Sequence, residues 1–556
     1  MDQARVFIAI ALSFLIFLAW DFFFTPKTPP RKPTQSTEEV QKVEEKIATV
    51  KPYVKEAEVQ TATTPPAVSE PPQAQKTART ISINSPFYSA KISEQGAAFT
   101  SLVLKDYKEF ADSDSPLKEL VPAEAYPGTV TLGFHNQSLL GFDQAVFTTD
   151  FRGESMQVSE KPADLLFTWV SQDGVVVEKK YHFNPESYLI GLSVTVKNGS
   201  TRTIQDRLYL TLIKVEKADQ RMYGFSGPSA LINGKLEQID IDDIEDQDTF
   251  NGDISWIAIQ DRYFISSIIP KNPVAATMRL AIEGENIIIN RLLQPQTTFH
   301  PGTQQTFDFD LFQGPKSMKL LNSYNNQLDK AINFGWFHFL AKPCLLLMNF
   351  IYDNLIPNYG IAIIILTLIT KGILWPLGTK SYKSMSQMKK MQPLIQELKE
   401  KHKDDRKKMN EATMALYRTY KINPLGGCLP MVVQIPVFFA LYRMLYEAIE
   451  LRHAPFIWWI NDLSAPDRLF NFNFSIPFMQ PPYGIPVLTL IMGASMLLQQ
   501  KMSPPMGDST QAKMMMLMPI VFTFIFINFS SGLVLYWLVN NIFSMGQQYY
   551  IQKKFA

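Results

Sequence analysis

The chain has 556 residues, 46% of them apolar, and a formal net charge of +1. That length exceeds one soluble domain, so at least two units are expected, and so even a charge balance singles out no nucleic-acid or acidic partner. The only cysteines, Cys344 and Cys428, form no CxxC pair, which argues against a disulfide framework or a cysteine metal site.

A mean hydropathy of −0.04 averages a polar first part with an apolar part after about residue 330. Val6–Phe24, preceded by Arg5, is a nearly continuous apolar run long enough to cross a bilayer. A cleaved signal peptide has a shorter apolar core and a small-residue cleavage site, whereas this run ends in the bulky Trp20–Phe24. Residues 1–24 are therefore expected to be an uncleaved transmembrane anchor. Residues 25–79, rich in Pro, Thr, Lys, Glu, Gln and Ala, bury too little apolar surface to offset ordering entropy and read as a disordered tether.

From Thr80 the pattern becomes period two, as in Leu165–Val170, Val175–Phe183, Tyr188–Val196, Arg207–Ile213 and Thr306–Phe312. Turn signals such as Asp173-Gly174, Asn198-Gly199, Asn233-Gly234 and Pro301-Gly302 separate these runs, which predicts an all-β sandwich over 80–319. His135, His182 and His300 stand alone in sequence, and the acidic run Asp240–Asp248 lacks the glycine and terminal glutamate of a calcium loop. No acid–base constellation for envelope-sugar chemistry is visible in the sequence. Residues 320–356 are amphipathic and aromatic, with Phe334, Trp336, Phe337 and Phe339 ahead of Pro343. They read as an interfacial helical region lying on the membrane.

The span 357–377 carries one cation, Lys371, ten residues beyond Ile361. At about 1.5 Å per residue the ammonium sits roughly 15 Å into a ~30 Å hydrocarbon core. A cation there costs about 2.5–3.5 kcal/mol. Two readings stand: the stem snorkels to the inner headgroups, or the charge faces a water-filled groove. Residues 378–421 hold twelve Lys or Arg against five acids, in two helical stretches joined at His402–Asp405. The positive-inside rule makes this basic hairpin cytoplasmic, which puts the β-domain outside and both termini inside. Lys27, Arg31 and Lys32 lie outside against the rule and are outvoted.

A second span, 422–446, contains Gln434 and Pro436; an outer loop, 447–483, contains the interfacial Pro455–Ile460; a third span covers 484–500 and an inner loop 501–513. Residues 514–551 would make one helix of about 57 Å. Asn528–Gly532 interrupts it, so a hairpin of two spans is expected, followed by an inner tail, 552–556. The stretches Ile485–Leu498 and Met514–Ile527 would be only about 21 Å long as helices, short enough to thin the bilayer. Cys344 then lies near the outer face and Cys428 near the inner one, too far apart for a bond within one chain. Thr367, Thr370, Gln434, Ser495, Gln499, Thr523, Asn540 and Asn541 add polarity within the spans, suited to bonds between helices. The 23 methionines cluster after Met385, as adaptable contacts for varied apolar partners or as ordinary core and lipid-facing residues. A solute transporter is the competing reading, but the internal repeat that many transporters show is not seen.

Ile422–Arg452, Ala454–Asp467, Gln500–Pro504 and Ser531–Asn541 resemble the YidC/Oxa/Alb family of membrane insertases, in its Gram-negative form with a large periplasmic domain. Trp256–Phe264 is similar to a segment of that periplasmic domain, and the resemblance covers the whole chain. It implies a multi-domain membrane protein: an N-terminal anchor, a periplasmic β-supersandwich related to mutarotase-like folds, and an α-helical five-span core. The resemblance implies that the core encloses a hydrophilic groove, open to cytoplasm and lipid, whose positive residue attracts the hydrophilic outer segment of a nascent membrane protein. It also implies an insertase and chaperone of the inner membrane, acting alone or with the Sec translocon (SecYEG and SecDF). The resemblance further implies no enzymatic step and no nucleotide, metal or other cofactor. By position the groove charge is Lys371, with Thr367 one turn away, Gln434, Ile435 and Phe438 on the facing helix, and Tyr536 and Trp537 on the last. The Gram-negative family members carry arginine where this chain has Lys371; lysine keeps the charge and gives up bidentate carboxylate recognition. The short tail leaves contact with the ribosome and the signal-recognition-particle receptor to the basic hairpin 378–421.

Overall fold

Side-chain alternation builds the first half of the molecule. Along Val175–Phe183 every odd-numbered side chain is buried and the intervening ones turn outward, as a pleated strand requires. Leu189–Asn198 repeats the pattern beside it. The computed structural model describes residues 78–556 except 113, 217–223, 273–274, 285, 403–404, 421–428, 503–508 and 556. The expected anchor, nearly all of the tether, and Cys428 lie outside the described residues.

Thr80 to Pro315 forms the expected β-sandwich. A five-stranded sheet runs in the order Leu117–Glu119, Ala98–Lys108, Tyr88–Ser93, Thr80–Asn84, Ser155–Gln157. A twelve-stranded sheet is organised on the long strand Thr249–Gln260. Its first residues pair with Ala275–Glu283, and its second half pairs with Gly227–Ile232 and Phe264–Pro270. Burial along this strand becomes nearly continuous from Ile254, and the Trp256 indole donates to the Gln327 carbonyl at 3.3 Å. Asn290, on Ile287–Leu293, reaches across and donates to the Ala258 carbonyl at 3.0 Å. Trp256, Tyr88, Tyr181, Phe99, Phe167 and Phe183 fill the core.

The second half is mainly helical among the described residues: α1 (Met318–Ser323), α2 (His338–Asn354), α3 (Tyr359–Lys390), α4 (Gln392–Lys401), α5 (Arg406–Thr419), α6 (Leu429–Glu447), α7 (Val487–Met502), α8 (Ser509–Phe526) and α9 (Ser531–Phe555), with one short strand pair between α6 and α7. The region expected to be one interfacial stretch, 320–356, is broken into α1, two 3₁₀ turns and α2. On α2, Ala341, Leu345, Met348 and Ile351 are buried at helical spacing, while Phe339, Leu346 and Phe350 face out. That is an amphipathic stripe.

Three expectations of length change. α3 does not end at Leu377 but runs on for 32 residues to Lys390. The expected break at 377–378 is a change of side-chain chemistry, and no proline follows Pro376 to stop the helix before Pro393. Only α4 and α5 form the hairpin proper, where Asp405 caps α5 by accepting the N–H groups of Lys407 and Lys408. α7 and α8 have 16 and 18 residues rather than fourteen, because polar flanking residues stay helical. At about 24 and 27 Å they remain shorter than a ~30 Å core. The α8–α9 break falls at residues 527–530, inside the expected hairpin.

α9 is central, packing against α3, α6 and α7, while α2 packs on α3 and α6. The β-domain is tied to the C-terminal end of α6. Arg262 donates to the Tyr446 carbonyl at 2.6 Å with its guanidinium 3.5 Å from the Tyr446 ring centre. Arg452 donates to the carbonyls of Lys108 and Glu109 at 2.6 and 2.9 Å.

Candidate functional site

Helical spacing puts Thr367, Lys371, Trp375 and Thr379 on one face of α3, and Tyr536, Asn540, Ser544 and Gln547 on one face of α9. The two faces meet. Lys371 is 9% exposed, and its ammonium donates to Ser544 Oγ at 2.7 Å and to Gln434 Oε1, on α6, at 3.3 Å. Gln434 Nε2 donates in turn to Asn540 Oδ1 at 2.7 Å, and the Ser544 hydroxyl donates to the Asn540 carbonyl at 2.7 Å. Tyr536 also hydrogen-bonds Gln434, and Tyr382, a turn beyond Thr379, bonds Ser544 and Gln499. One polar layer therefore joins α3, α6, α7 and α9.

Among the described residues no carboxylate pairs with Lys371. An ammonium has three donors, and here two of them meet neutral acceptors. Those acceptors orient the ammonium without neutralising it.

Of the residues singled out by sequence, Lys371, Gln434 and Tyr536 come together. Phe438 and Trp537 meet each other instead, ring centres 4.7 Å apart and edge to face, and Trp537 also packs on Phe526 at 4.9 Å. They form an aromatic wall joining α6, α8 and α9. Thr367 is buried one turn from Lys371, but its hydroxyl donates to the Ile363 carbonyl of its own helix at 2.7 Å. Ile435 is 46% exposed and lies off the polar layer, because one residue along a helix turns the side chain by about 100°. Ser544 and Tyr382 are additional members that sequence reading passed over. The four-residue spacing of Tyr536, Asn540 and Ser544 was the available signal.

In the β-domain, a shallow cavity of about 480 Å³ is lined by Asp164, Lys180, His182, Lys271 and Asp310. His182, which looks isolated in sequence, is 2.6 Å from Asp164, and Lys180 is 2.6 Å from the same carboxylate. Lys180 foremost, with His182, holds the Asp164 carboxyl below the usual carboxylate range. It is a paired anion and unsuited to donate a proton as a general acid.

Residues 80–347 match the family model described as the YidC periplasmic domain, and residues 350–556 match the one described as the 60Kd inner membrane protein. The chain is 38% identical over 561 residues to the membrane protein insertase YidC of Syntrophus aciditrophicus (strain SB), covering all of both chains. It is 38% identical over 556 residues to that of Pelobacter propionicus, covering 99% of each. Among solved structures, an active YidC insertase with its first transmembrane domain resolved is 18% identical, covering 85% of this chain and 93% of the other, with a TM-score of 0.38. A galactose mutarotase-like protein from Lactobacillus casei is 14% identical, covering 42% of this chain and 99% of the other, with a TM-score of 0.30.

Proposed function

This chain belongs to the YidC family of membrane protein insertases, and on that premise we propose that Lys371 is the charge that draws client segments into the membrane. The protein is a membrane protein insertase of the inner membrane with a periplasmic β-domain. In our reading both termini and the basic hairpin face the cytoplasm. A client's hydrophilic, acidic outer segment enters the groove between α3, α6 and α9 and pairs with Lys371. Its apolar segment leaves along the aromatic wall of Phe438 and Trp537 into lipid. The shortness of α7 and α8 lowers the remaining barrier by thinning the bilayer beside them. Ribosome and signal-recognition-particle receptor meet the basic hairpin, and the Sec translocon receives clients that this core passes on.

The observation that carries this reading is a buried ammonium held by Gln434 and Ser544 with no carboxylate partner among the described residues. A cation kept for structure alone is normally paired inside a membrane. The test is insertion of a single-span client into proteoliposomes holding only this protein, scored by protease protection. Clients with acidic outer segments should insert with wild type and Lys371→Arg, and several-fold less with Lys371→Ala. Clients with neutral outer segments should show a smaller difference. Equal insertion by all three forms would reduce Lys371 to a snorkelling residue.

A further inference from the structure

Between Arg468 and Lys501 the chain carries no charged residue, yet the first half of that stretch is not a span. Leu469–Phe472 pairs antiparallel with Tyr483–Ile485, forming a small two-stranded wing beside the outer end of α7. Phe470, Phe474 and Phe478 stand out from it, 66%, 62% and 75% exposed. Trp458, on the neighbouring turn, is more exposed still.

These side chains are displayed at a cost. Phe470, Phe478 and Trp458 have φ of +61°, +64° and +53°. The left-handed region is unfavourable for a bulky residue, and such strain persists only where the surroundings over-determine it. The surroundings here do so. Arg468 donates to the carbonyls of Pro482 and Ile527, both at 2.8 Å. Asn528 accepts the Gln480 N–H and donates to the Phe478 carbonyl, both at 2.9 Å. The break between α8 and α9 thus braces the wing through Arg468 and holds the backbone at Phe478 and Gln480.

Continuity identifies what covers them. The apolar surface runs from the wing through Ile485 to the exposed Leu490 and Ile491 of α7. α7 is about 24 Å long against a ~30 Å core, so its outer end lacks apolar cover for the last few ångströms of hydrocarbon. We propose that residues 469–485 are a membrane-inserted outrigger. Phe470, Phe474 and Phe478 lie at the headgroup–acyl boundary of the leaflet opposite the basic hairpin and extend the hydrophobic belt of α7. The occupant is lipid. The proposal takes from the insertase reading only that the core spans a bilayer, and its readout does not depend on insertion.

The two cysteines make the test direct. In full-length protein with Cys344→Ser and Cys428→Ser, a single cysteine replaces Phe474, Phe478 or, as a control in the β-domain, the exposed Leu140. Each carries an environment-sensitive fluorophore. The proteins, matched to wild type in unfolding midpoint, are placed in vesicles of phosphatidylethanolamine and phosphatidylglycerol. Labels at 474 and 478 should emit to the blue of the control, be quenched by lipids bearing a nitroxide near the headgroup, and be shielded from aqueous iodide. Iodide quenching at 474 and 478 equal to that at 140 would overturn the proposal and assign the surface to a protein partner. Because wing and control are read in the same vesicles, failed client insertion alone would count against the groove and not against the outrigger.

Discussion

At the scale of single residues, Lys179 shows what period-two reading misses. It occupies an inward position of Val175–Phe183, which alternation reserves for apolar side chains, and is completely buried. Its ammonium donates to the carbonyls of Gly96, Ala97 and Val130 at 3.2, 2.8 and 3.0 Å, so every N–H is used. Lys179→Met would leave three carbonyls without that donor where the two sheets meet. The expected loss is about 2–4 kcal/mol, read from denaturant unfolding of the full chain in detergent. Burial pushes the Lys179 pKa down from 10.5 to about 7. The unfolded chain therefore binds more protons than the folded one between those values, and this group's contribution to stability rises with pH across that window. Wild type measured against Lys179→Met should gain stability from neutral to alkaline pH; a flat difference would refute the shift. Lys371, by contrast, was legible in sequence, since a lone cation in an apolar run has few uses. The choice between Gln434 and Ile435 was not, because the rotational phase of a helix is set by what packs against it.

At the scale of elements, continuity and close approach decide more than composition. α3 runs through the boundary where apolar residues give way to basic ones, so Gly378–Lys390 should resist proteolysis. Trypsin acting on the native protein should cut around Lys401, beside the α4–α5 junction, before it cuts at Lys380 or Lys383. Early cleavage at those two lysines would contradict a continuous helix. α7 and α8 approach closely at Gly493, where an added Cβ would collide with the Thr523 side chain. Gly493→Ala should cost about 1–3 kcal/mol by overpacking, seen as a lower unfolding midpoint in detergent. Thr523→Ala in the same chain should restore part of it. That two apolar stretches became helices was legible from their length and composition. That they extend to 16 and 18 residues was not, since Gln499–Met502 and Ser509–Lys513 have no apolar pattern to mark them.

At the scale of the whole molecule, the β-domain and the helical core are joined by a few strongly bonded side chains. Arg262 and Arg452 carry much of that joint, and burial holds the Arg452 pKa below its ordinary value without removing its charge at neutral pH. Arg262→Ala together with Arg452→Ala should loosen the domains without unfolding either. Amide exchange should rise over residues 443–452 and 106–110 while the sheet interior stays protected. Unchanged exchange in both segments would mean that packing alone holds the joint.

The sequence by itself determined a two-part chain, a β-sandwich followed by membrane helices with one cation deep in an apolar run, together with its family. Those features rest on local quantities: side-chain period, turn residues, the length of apolar runs and motifs contiguous in the chain. Only the tertiary structure decided that Ser544 and Gln434 hold Lys371, that Ile435 lies outside their layer, and that three carbonyls surround Lys179. It alone also showed that Phe470 and Phe478 of the wing are held in strained backbone and face outward. Each of these is a meeting of residues far apart in the chain, fixed by helix phase, strand register and close packing.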